Sequence, residues 1–516
     1  MSPATQAARA RRIGRRRALA VNVRGTANLV ASLIKYLSAA TLVPAAVAVG
    51  YGETPVPFLA AGAVAVVVGT AVERETRGDF ELRAREGFLV VSLTWLVAAA
   101  LAALPYLFSG ETQLDRPLDA YFEGMAGFTT TGATILTDVE SLPHSLLLWR
   151  QLTQWLGGLG IIVLALAVLP RLRIGGRQLF ESELPGPEIE SLSTRIRDTA
   201  RRLWMLYVAL TIVLIGLLLA YGQSGLDPEL DAFEAVAHAL TTIPTGGFSP
   251  NARSLEEYAA VTQWTVIAFM ILGGVNFALM YAAFVRRRPG KLAQDDEFRL
   301  YLALLVLGST ILGLELWLGG VVEGGETAVR HAVFQAVSIM TTTGYSSTDF
   351  AVWPTLAVMT LIGLMFVGGS AGSTTGSVKV VRHVLLGKIL RRELDQTVHP
   401  EIVIPVRLNR RVVDERTLRA VSSFILLYVG IFVVAAALLA IDASRTGLDL
   451  RVLDAVGVAA AMLGNVGPSF GIAGPLGSLE PFSDLSTVLM IALMWLGRLE
   501  VIPIVVLLTR HYWRST

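Results

Sequence analysis

The sequence contains no cysteine among its 516 residues. This absence excludes disulfide bonds, thiolate metal sites and cysteine nucleophiles. Charged residues are also scarce: they make up 16% of the chain, whereas soluble domains carry about 25%. No large soluble domain is therefore expected. The six histidines show no HExxH or similar ligand spacing, so the sequence indicates no metal site.

Long apolar stretches take the place of the missing charge, and 53% of the residues are hydrophobic. Many of these stretches exceed the roughly 18 residues that cross a bilayer as a helix. A transmembrane β-barrel would instead need alternating segments of about ten residues, and these stretches are too continuously apolar for that. The pattern predicts an all-α membrane protein with many spans.

Clusters of arginine and lysine alternate with connections that are poor in both. By the positive-inside rule, the clusters mark cytoplasmic connections. If 28–50 and 57–72 are two opening spans, both termini lie in the cytoplasm. The basic start is followed by a long apolar run, which favours a retained anchor over a cleaved signal peptide. The clusters lie at 11–24, 74–85, 171–202, 286–291, 382–419 and 510–514.

Four times an apolar stretch breaks into a short Thr/Gly loop and then resumes. Irregular backbone at membrane depth is tolerated where it is buried in protein or lines a water-filled cavity. Four loops around one axis could offer a ring of carbonyl oxygens to a small cation. The sequence therefore predicts a cation pore folded from one chain. The loops are 127–134 (GFTTTGAT), 242–249 (TIPTGGFS), 340–347 (MTTTGYSS) and 463–470 (LGNVGPSF), with Gly132, Gly246, Gly344 and Gly467 in comparable places.

Each loop belongs to a recurring order of span, short half-helix, loop and span, which indicates duplicated units. The half-helices are too short to cross a bilayer, and acidic residues near three of their starts suit capping. C-terminal dipole ends directed at the axis would favour a cation. Surface-parallel helices are the alternative, which the recurrence of the loop disfavours. The capping candidates are Asp119, Asp231 or Glu234, and Asp454, with His331 in the third repeat.

The predicted units follow from this order. A basic tail (1–25) precedes two accessory transmembrane helices (26–75), and a cytoplasmic linker (393–415) separates the third and fourth repeats. The repeats are 84–195, 196–295, 296–392 and 416–516. Their predicted spans are 87–107, 146–169, 203–221, 262–284, 300–318, 356–390, 421–441 and 485–508, of which only 356–390 is expected to be interrupted.

The interruption in 356–390 consists of ten consecutive small residues, 368–377 (GGSAGSTTGS). Such a run does not favour a stiff helix. Close packing between helices would need small residues on one face only, so a non-helical loop is expected. Arg498 is predicted near the middle of 485–508, where a charge needs a cavity or a partner. A pair with Glu500 and snorkelling to the interface are the alternatives for Arg498.

Several stretches carry a resemblance to a known family: 122–134 (FEGMAGFTTTGAT), 154–170 (QWLGGLGIIVLALAVLP), 368–380 (GGSAGSTTGSVKV), 399–408 (HPEIVIPVRL) and 496–500 (LGRLE). Together, in this order, they resemble the Trk/Ktr/HKT superfamily of potassium transporters, most closely its bacterial TrkH members. The resemblance covers nearly the whole chain. It implies two N-terminal helices plus four M1–P-loop–M2 repeats in a pseudo-fourfold, potassium-channel-like arrangement.

The resemblance also implies the roles of individual residues. Carbonyls just before one glycine per repeat would bind potassium. The interrupted stretch would form an intramembrane loop that blocks the pore, with a pore arginine below the filter. The implied filter is Thr130, Thr131, Gly132, Pro244, Thr245, Gly246, Thr342, Thr343, Gly344, Asn465, Val466 and Gly467. The implied gate is Gly368, Gly369, Gly372, Gly376, Lys379 and Arg498.

The filter departs from that of a tetrameric potassium channel. Each loop has one filter glycine instead of the two in TVGYG. Pro244 has a fixed φ and no N–H, and Asn465-Val466 replaces Thr-Thr. A shorter, less symmetric filter is expected to pass potassium, with some rubidium and some sodium.

The resemblance implies partners that the chain itself does not contain. Family members associate with a cytosolic TrkA-type ring, which would bind ATP/ADP or NAD(H), and the transport subunit forms a homodimer. This chain has no P-loop and no GxGxxG after a strand. No cofactor and no nucleic-acid partner are therefore expected, and potassium is the transported substrate. The basic segments 171–202 and 391–419 are candidate docking faces, in a protein of the bacterial cytoplasmic membrane.

Three alternative functions remain at this point. A symporter coupled to protons or sodium would need acidic or histidine relays in the membrane, and few acids fall mid-span; Glu123 and Glu234 lie on half-helices. An intramembrane enzyme would need a nucleophile–base pair or metal ligands. His238 is the best candidate base, but no partner is evident. A sodium or ammonium conductor of the same architecture is the third.

Overall fold

A computed structural model describes residues 21–78, 84–167 and 189–513. Most of the predicted basic tail and the first part of the segment 171–202 lie outside these ranges. Within them, regular structure is helical apart from one small antiparallel hairpin, Arg407–Leu408 with Arg411–Val412. Six helices are long and apolar enough to cross a membrane, and two bent helix pairs could add two more spans. The prediction of an all-α, multi-span protein is confirmed.

The two opening helices pack against each other. Val23–Leu37 continues through the 3₁₀ turn Ser38–Thr41 into Leu42–Tyr51, and Val56–Glu75 returns antiparallel to it. Lys35 forms an ion pair with Glu73. Gly69 lets the backbones approach closely, because a Cβ there would lie 3.1 Å from the carbonyl oxygen of Ala31. Small residues at helix contacts are the usual solution in membranes.

The turn between these helices caps another helix. Glu53 accepts hydrogen bonds from the N–H groups of His144 (2.8 Å) and Ser145 (2.9 Å), which begin His144–Ala167. Such groups have no partner within their own helix, and the helix dipole favours an anion beside them. Burial alone would raise the pKa of Glu53, but the hydrogen bonds from Ser145 and His144 outweigh burial and lower the pKa.

We expect Glu53→Gln to reduce stability at neutral pH by about 1 kcal/mol, the usual worth of a helix cap. Because the folded pKa of Glu53 is below its ordinary value of 4.5, its contribution is present above that value. The contribution disappears as the pH falls through the folded pKa. Melting curves of the variant and the parent should therefore converge in acid. Glu229→Gln, at an exposed site, should match the parent throughout, and a gap that persisted in acid would contradict the assignment.

Each of the four units has an outer helix, a half-helix and an inner helix. The outer helices are Ala84–Ser109, Ile189–Ser224, Asp296–Leu318 and Glu415–Thr446. The half-helices are Pro117–Phe128, Ala232–Thr242, Gly325–Met340 and Val452–Gly464. The inner helices are His144–Ala167; Ala260–Gly274 with Phe277–Met280; Thr355–Met365 with Val380–Val398; and Asp484–Arg498 with Ile502–Leu508. Short helices and turns join them: Thr112–Leu114, Tyr281–Val285, Gly290–Gln294, Phe350–Val352, Gly471–Ala473 and Arg510–Trp513.

Two inner helices differ from the sequence prediction, because 262–284 and 485–508 were expected to be continuous. The second inner helix bends by 107° after Gly274, and the fourth bends by 117° after Arg498. Asn276 starts the new segment by accepting the N–H groups of Ala278 (2.8 Å) and Leu279 (3.1 Å). At the second break, Glu500 has a φ of 58°. Arg498 therefore lies at a helix end, beside a break, and not within a continuous helix.

The first half-helix shows how these elements pack. It lies against the first outer helix, where Ala99, Ala102 and Ala103 are buried. A Cβ at Gly124 would overlap the carbonyl oxygen of Ala99. Small residues on both helices thus bring the half-helix close to its neighbour, and the Thr/Gly loop that follows is held inside the protein.

Candidate functional site

The four Thr/Gly loops share one backbone conformation. In each, a residue with left-handed φ lies one to three residues after the half-helix, one residue follows, and a glycine with positive φ comes next. The first positions are Thr130 (51°), Thr245 (54°), Thr342 (55°) and Asn465 (53°). The glycines are Gly132 (76°), Gly247 (81°), Gly344 (82°) and Gly467 (97°).

Hydrogen bonds fix the same register independently. In every loop, the N–H of the residue between these two positions reaches back to a carbonyl in the last turns of its half-helix. The four bonds are Thr131 to Ala126 (2.9 Å), Gly246 to Thr241 (2.8 Å), Thr343 to Ser338 (2.8 Å) and Val466 to Ala461 (2.8 Å).

This register corrects the sequence alignment of the second loop. Gly247, and not Gly246, corresponds to Gly132, Gly344 and Gly467, and Gly246 corresponds to Thr131. Pro244 consequently falls one position outside the aligned pair of residues that precedes each glycine. The sequence did carry one signal that could have chosen between the two adjacent glycines: the thirteen-residue spacing from an acidic residue to the glycine, which Glu234 has with Gly247 and not with Gly246.

The register also explains the acidic residues of the half-helices. Asp119, Glu234 and Asp454 each precede the positive-φ glycine of their loop by thirteen residues. Asp231 is the N-cap of its helix and accepts the N–H of Glu234 at 2.7 Å. The third half-helix has 16 residues and starts earlier, which places His331 well inside it.

The loops contact one another in a closed cycle. A Cβ at Gly132 would overlap the carbonyl oxygen of Gly246, and a Cβ at Gly247 would overlap that of Thr343. The third loop contacts the fourth in the same way, and the fourth contacts the first: Gly344 abuts Val466 O, and Gly467 abuts Thr131 O. Glycine is therefore needed at these positions both for its φ and for the close approach of the next loop.

The four abutting carbonyls differ in their hydrogen bonds. Gly246 O accepts from Nε2 of Gln154 at 2.7 Å, and the same side chain accepts the N–H of Phe248 at 3.0 Å. In the described part of the chain, no donor is assigned to the oxygens of Thr131, Thr343 and Val466. Two hydrogen bonds with Gln154 thus hold the second loop in place. The other three carbonyl oxygens remain able to accept a hydrogen bond or to coordinate an ion.

A buried position on three half-helices holds the segment after the loop. The Glu123 carboxylate accepts the N–H of Ile135 at 2.9 Å. His238 contacts Ser249 Oγ at 3.1 Å through Nε2, and Gln335 donates to the carbonyl of Tyr345 at 3.0 Å. The fourth repeat has Val458 at this position. Each of these three side chains therefore has at least one partner, as the cost of an unpaired buried polar group favours, although Gln335 Oε1 has none in the described structure.

A buried ion pair joins the first repeat to the second loop. Arg150 Nε lies 3.3 Å from Glu123 Oε2, with exposures of 1% and 0%. The Arg150 guanidinium lies 4.0 Å from the ring centre of Phe248 and 3.4 Å from the carbonyl oxygen of Ser249. Arg150 is absent from the predicted site residues, although an arginine inside a predicted span was an available signal.

A cavity of about 260 Å³ adjoins the loops. All four positive-φ glycines line it, together with Arg150 and the segments that follow the loops. The cavity therefore gives access to the ring of loops from one side.

The segment between Met365 and Val380 contains no helix, as predicted, and packs against the loops. The N–H of Gly376 donates to Thr342 Oγ1 at 2.8 Å, and Thr374 Oγ1 lies 3.1 Å from Thr245 Oγ1. The other three glycines of the predicted gate make contacts that fix the conformation of this segment. Gly368 N–H donates to Val378 O at 2.9 Å, Gly369 abuts Gly274 O, and Gly372 O accepts the N–H of Phe277 at 3.2 Å.

Arg498 connects this segment to the first inner helix. It is 2% exposed. Its guanidinium donates to Thr374 O at 2.7 Å and to Gly157 O at 3.3 Å. Glu500 pairs with Arg382 and not with Arg498. Lys379 is buried and donates to Thr375 O and, at 3.1 Å, to Thr375 Oγ1.

The sequence matches the profile of the TrkH family, described as cation transport proteins, over residues 56–514. It is 38% identical to the Trk system potassium uptake protein TrkH of Escherichia coli (strain K12) over 502 residues. These residues make up 96% of this chain and 100% of that protein. The chain belongs to the TrkH family.

Two further matches have the same extent. The Trk system potassium uptake protein TrkG of Escherichia coli (strain K12) is 34% identical over 499 residues, 96% of this chain and 99% of that protein. The crystal structure of the potassium transporter TrkH from Vibrio parahaemolyticus matches with a TM-score of 0.85 at 33% identity. The match covers 96% of this chain and 100% of that one.

TrkH proteins are transporters, so the alternative of an intramembrane enzyme is wrong. Both ring nitrogens of His238 are engaged, Nδ1 with Glu234 O at 2.9 Å and Nε2 with Ser249 Oγ. Among residues 21–78, 84–167 and 189–513, no group of three or more metal-ligating side chains occurs.

Proposed function

We propose that the chain carries potassium ions into the cell through an ion filter made by the four loops. The closed cycle of loop contacts carries this proposal, because each loop presents a carbonyl oxygen against the glycine of the loop before it. Rings of backbone carbonyls replace the hydration shell of potassium in channels. The names of the TrkH and TrkG relatives, potassium uptake proteins, support the choice of ion.

The proposed filter follows the register of the loops. The coordinating carbonyls belong to the two residues before each positive-φ glycine, so Thr245 and Gly246 serve in the second loop and Pro244 does not. The half-helices end one to three residues before these pairs, and their C-terminal partial charges favour a cation. The proposed set is Thr130, Thr131, Gly132, Thr245, Gly246, Gly247, Thr342, Thr343, Gly344, Asn465, Val466 and Gly467.

The proposed gate is the gating loop, 368–377, together with Arg498. The loop contacts threonines of the second and third filter loops, and Arg498 donates to its backbone. A buried cation beside the ion path opposes potassium through Coulomb repulsion. Displacement of the gating loop and of Arg498 would open the path.

Uncoupled conduction is favoured over symport. The acids on the half-helices already have partners: Glu123 pairs with Arg150, and Glu234 accepts the hydroxyl of Tyr258 at 2.7 Å. Neither is free to act as a membrane proton relay, which coupling to protons would need.

The proposal includes the partners that family membership suggests. The chain would work as a homodimer in the bacterial cytoplasmic membrane, with both termini in the cytoplasm. A cytosolic TrkA-type ring would bind ATP/ADP or NAD(H) and control the gate. The linker 393–415 and its exposed hairpin are accessible to such a partner.

The test is ion flux into liposomes that contain the purified protein, with potassium, rubidium, sodium and ammonium supplied in turn. Potassium should pass fastest, rubidium next, and sodium and ammonium more slowly. Expression in cells that lack potassium uptake should restore growth at low potassium, more strongly with a TrkA-type partner. A strong preference for sodium or ammonium, or strict dependence of flux on a proton gradient, would overturn the proposal.

A further inference from the structure

The gating loop is anchored by a buried carboxylate that belongs to neither the filter nor the gate described above. Glu297, in the first turn of the third outer helix, is 8% exposed. Its Oε1 accepts the N–H of Ala371 at 2.6 Å and the N–H of Val381 at 3.1 Å. Ala371 lies in the middle of the gating loop, and Val381 lies in the helix that follows it. The Glu297 side chain thus binds both the gating loop and the first turn of the helix that follows it.

Neighbouring groups complete the hold on Ala371. Its carbonyl oxygen accepts Nδ2 of Asn276 at 2.7 Å, at the break of the second inner helix. One turn after Glu297, the Tyr301 hydroxyl donates to Ile271 O at 3.1 Å, and a Cβ at Gly274 would overlap that hydroxyl. The same face of the third outer helix therefore positions both the gating loop and the broken helix beside it.

The two residues before Glu297 contact the cytoplasmic hairpin. Asp295 accepts Nδ2 of Asn409 at 2.8 Å, and the N–H of Asp296 donates to Asn409 Oδ1 at 2.8 Å. Lys388 donates to Asp296 at 2.6 Å and to Arg407 O at 2.7 Å. Asn409 is in the turn of the hairpin, with a φ of 48°. Three consecutive acids thus join a surface turn to the gating loop.

We propose that Glu297 is a positioning residue that holds the gating loop in its blocking conformation, and that the hairpin sets this hold through Asn409. The inference rests on the proposed gate and extends it. A partner that moves the hairpin would pull on Asp295 and Asp296, and the adjacent Glu297 would release the N–H groups of Ala371 and Val381. The hairpin is thus the point where a cytosolic partner acts on the gate.

The test uses the full-length protein in liposomes without a cytosolic partner. Glu297→Gln replaces a carboxylate with a weaker acceptor and an amide donor, so the rubidium leak should rise roughly tenfold. Asn409→Gly keeps the left-handed turn but removes the side chain that contacts Asp295 and Asp296, and should raise the leak less. The double variant should leak no more than Glu297→Gln, because both changes act on one connection. Arg410→Gly alters the next left-handed, exposed position and should behave like the parent.

Two further measurements separate positioning from general stability. The potassium-to-sodium ratio should be unchanged in both variants, since the filter is untouched, and open time in single-molecule current recordings should rise. If Arg498→Ala leaks but Glu297→Gln and Asn409→Gly do not, the inference is overturned while the gate stands. If Arg498→Ala does not leak either, the gate itself is wrong. Should Glu297→Gln fail to fold, Asn409→Gly still decides, because it changes an exposed turn.

Discussion

Gly247→Ala is expected to abolish potassium flux, whereas Gly246→Ala should retain part of it. At Gly247 the φ is 81°, and a Cβ would overlap the carbonyl oxygen of Thr343 on the next loop. The left-handed conformation alone costs an alanine about 1–2 kcal/mol, and a backbone carbonyl of the proposed filter must also move. At Gly246 a Cβ would overlap the amide end of Gln154, which can rotate away at the loss of two hydrogen bonds, and would lie 3.0 Å from Gln154 Cβ.

The measurement is rubidium uptake into liposomes at matched protein amounts, with the potassium-to-sodium ratio as a second readout. Gly363→Ala is the control, because nothing lies within 4 Å of a Cβ at that helical position. It should transport like the parent. Equal damage at Gly246 and Gly247, or greater damage at Gly246, would show that the loop register is wrong.

Arg498→Ala is expected to raise the leak through the closed protein by about a hundredfold. The substitution removes the donor to Thr374 O and the positive charge beside the proposed ion path. Two like charges about 6 Å apart repel by about 2.8 kcal/mol at an effective dielectric constant of 20, and each 1.4 kcal/mol or so corresponds to a factor of ten.

Arg498→Lys separates charge from geometry, because lysine keeps the charge but lacks the planar fork that reaches both Thr374 O and Gly157 O. Its leak should fall between those of the parent and of Arg498→Ala. Arg510→Ala, at an exposed position, is the control and should not leak. The measurement is rubidium efflux with no partner present, and an Arg498→Ala variant as tight as the parent would assign this arginine to folding alone.

Much of this architecture could be predicted because it depends on the local amino-acid composition. The half-helices end where the loops begin, and ten small residues do interrupt the third inner helix. These features depend on short-range backbone preferences of glycine and threonine, which a single sequence displays directly.

The parts that escaped prediction depend on contacts between distant segments. Asn276 looks like an ordinary polar residue in an apolar run, yet it lies at a helix break, where it donates a hydrogen bond to the gating loop 95 positions further on. Arg498 reaches Thr374 across 124 positions. From the sequence, Glu297 is an ordinary acidic residue at a helix start, and only the fold brings Ala371 next to it. Such pairings arise from tertiary packing. An apolar run can mark a polar residue within it as buried, as it did for Arg498, but no local pattern identifies the partner.

The cycle of loops is built from four different sequences on one chain, so each wall of the ring can be altered alone. In a channel assembled from identical subunits, any substitution changes all four walls at once. Here a single loop, for example the fourth loop with Asn465, could be replaced, and the ion preference would be expected to change by one loop's contribution at a time. A single chain therefore allows one of the four loops to be changed while the other three stay the same, which is impossible in a homotetramer.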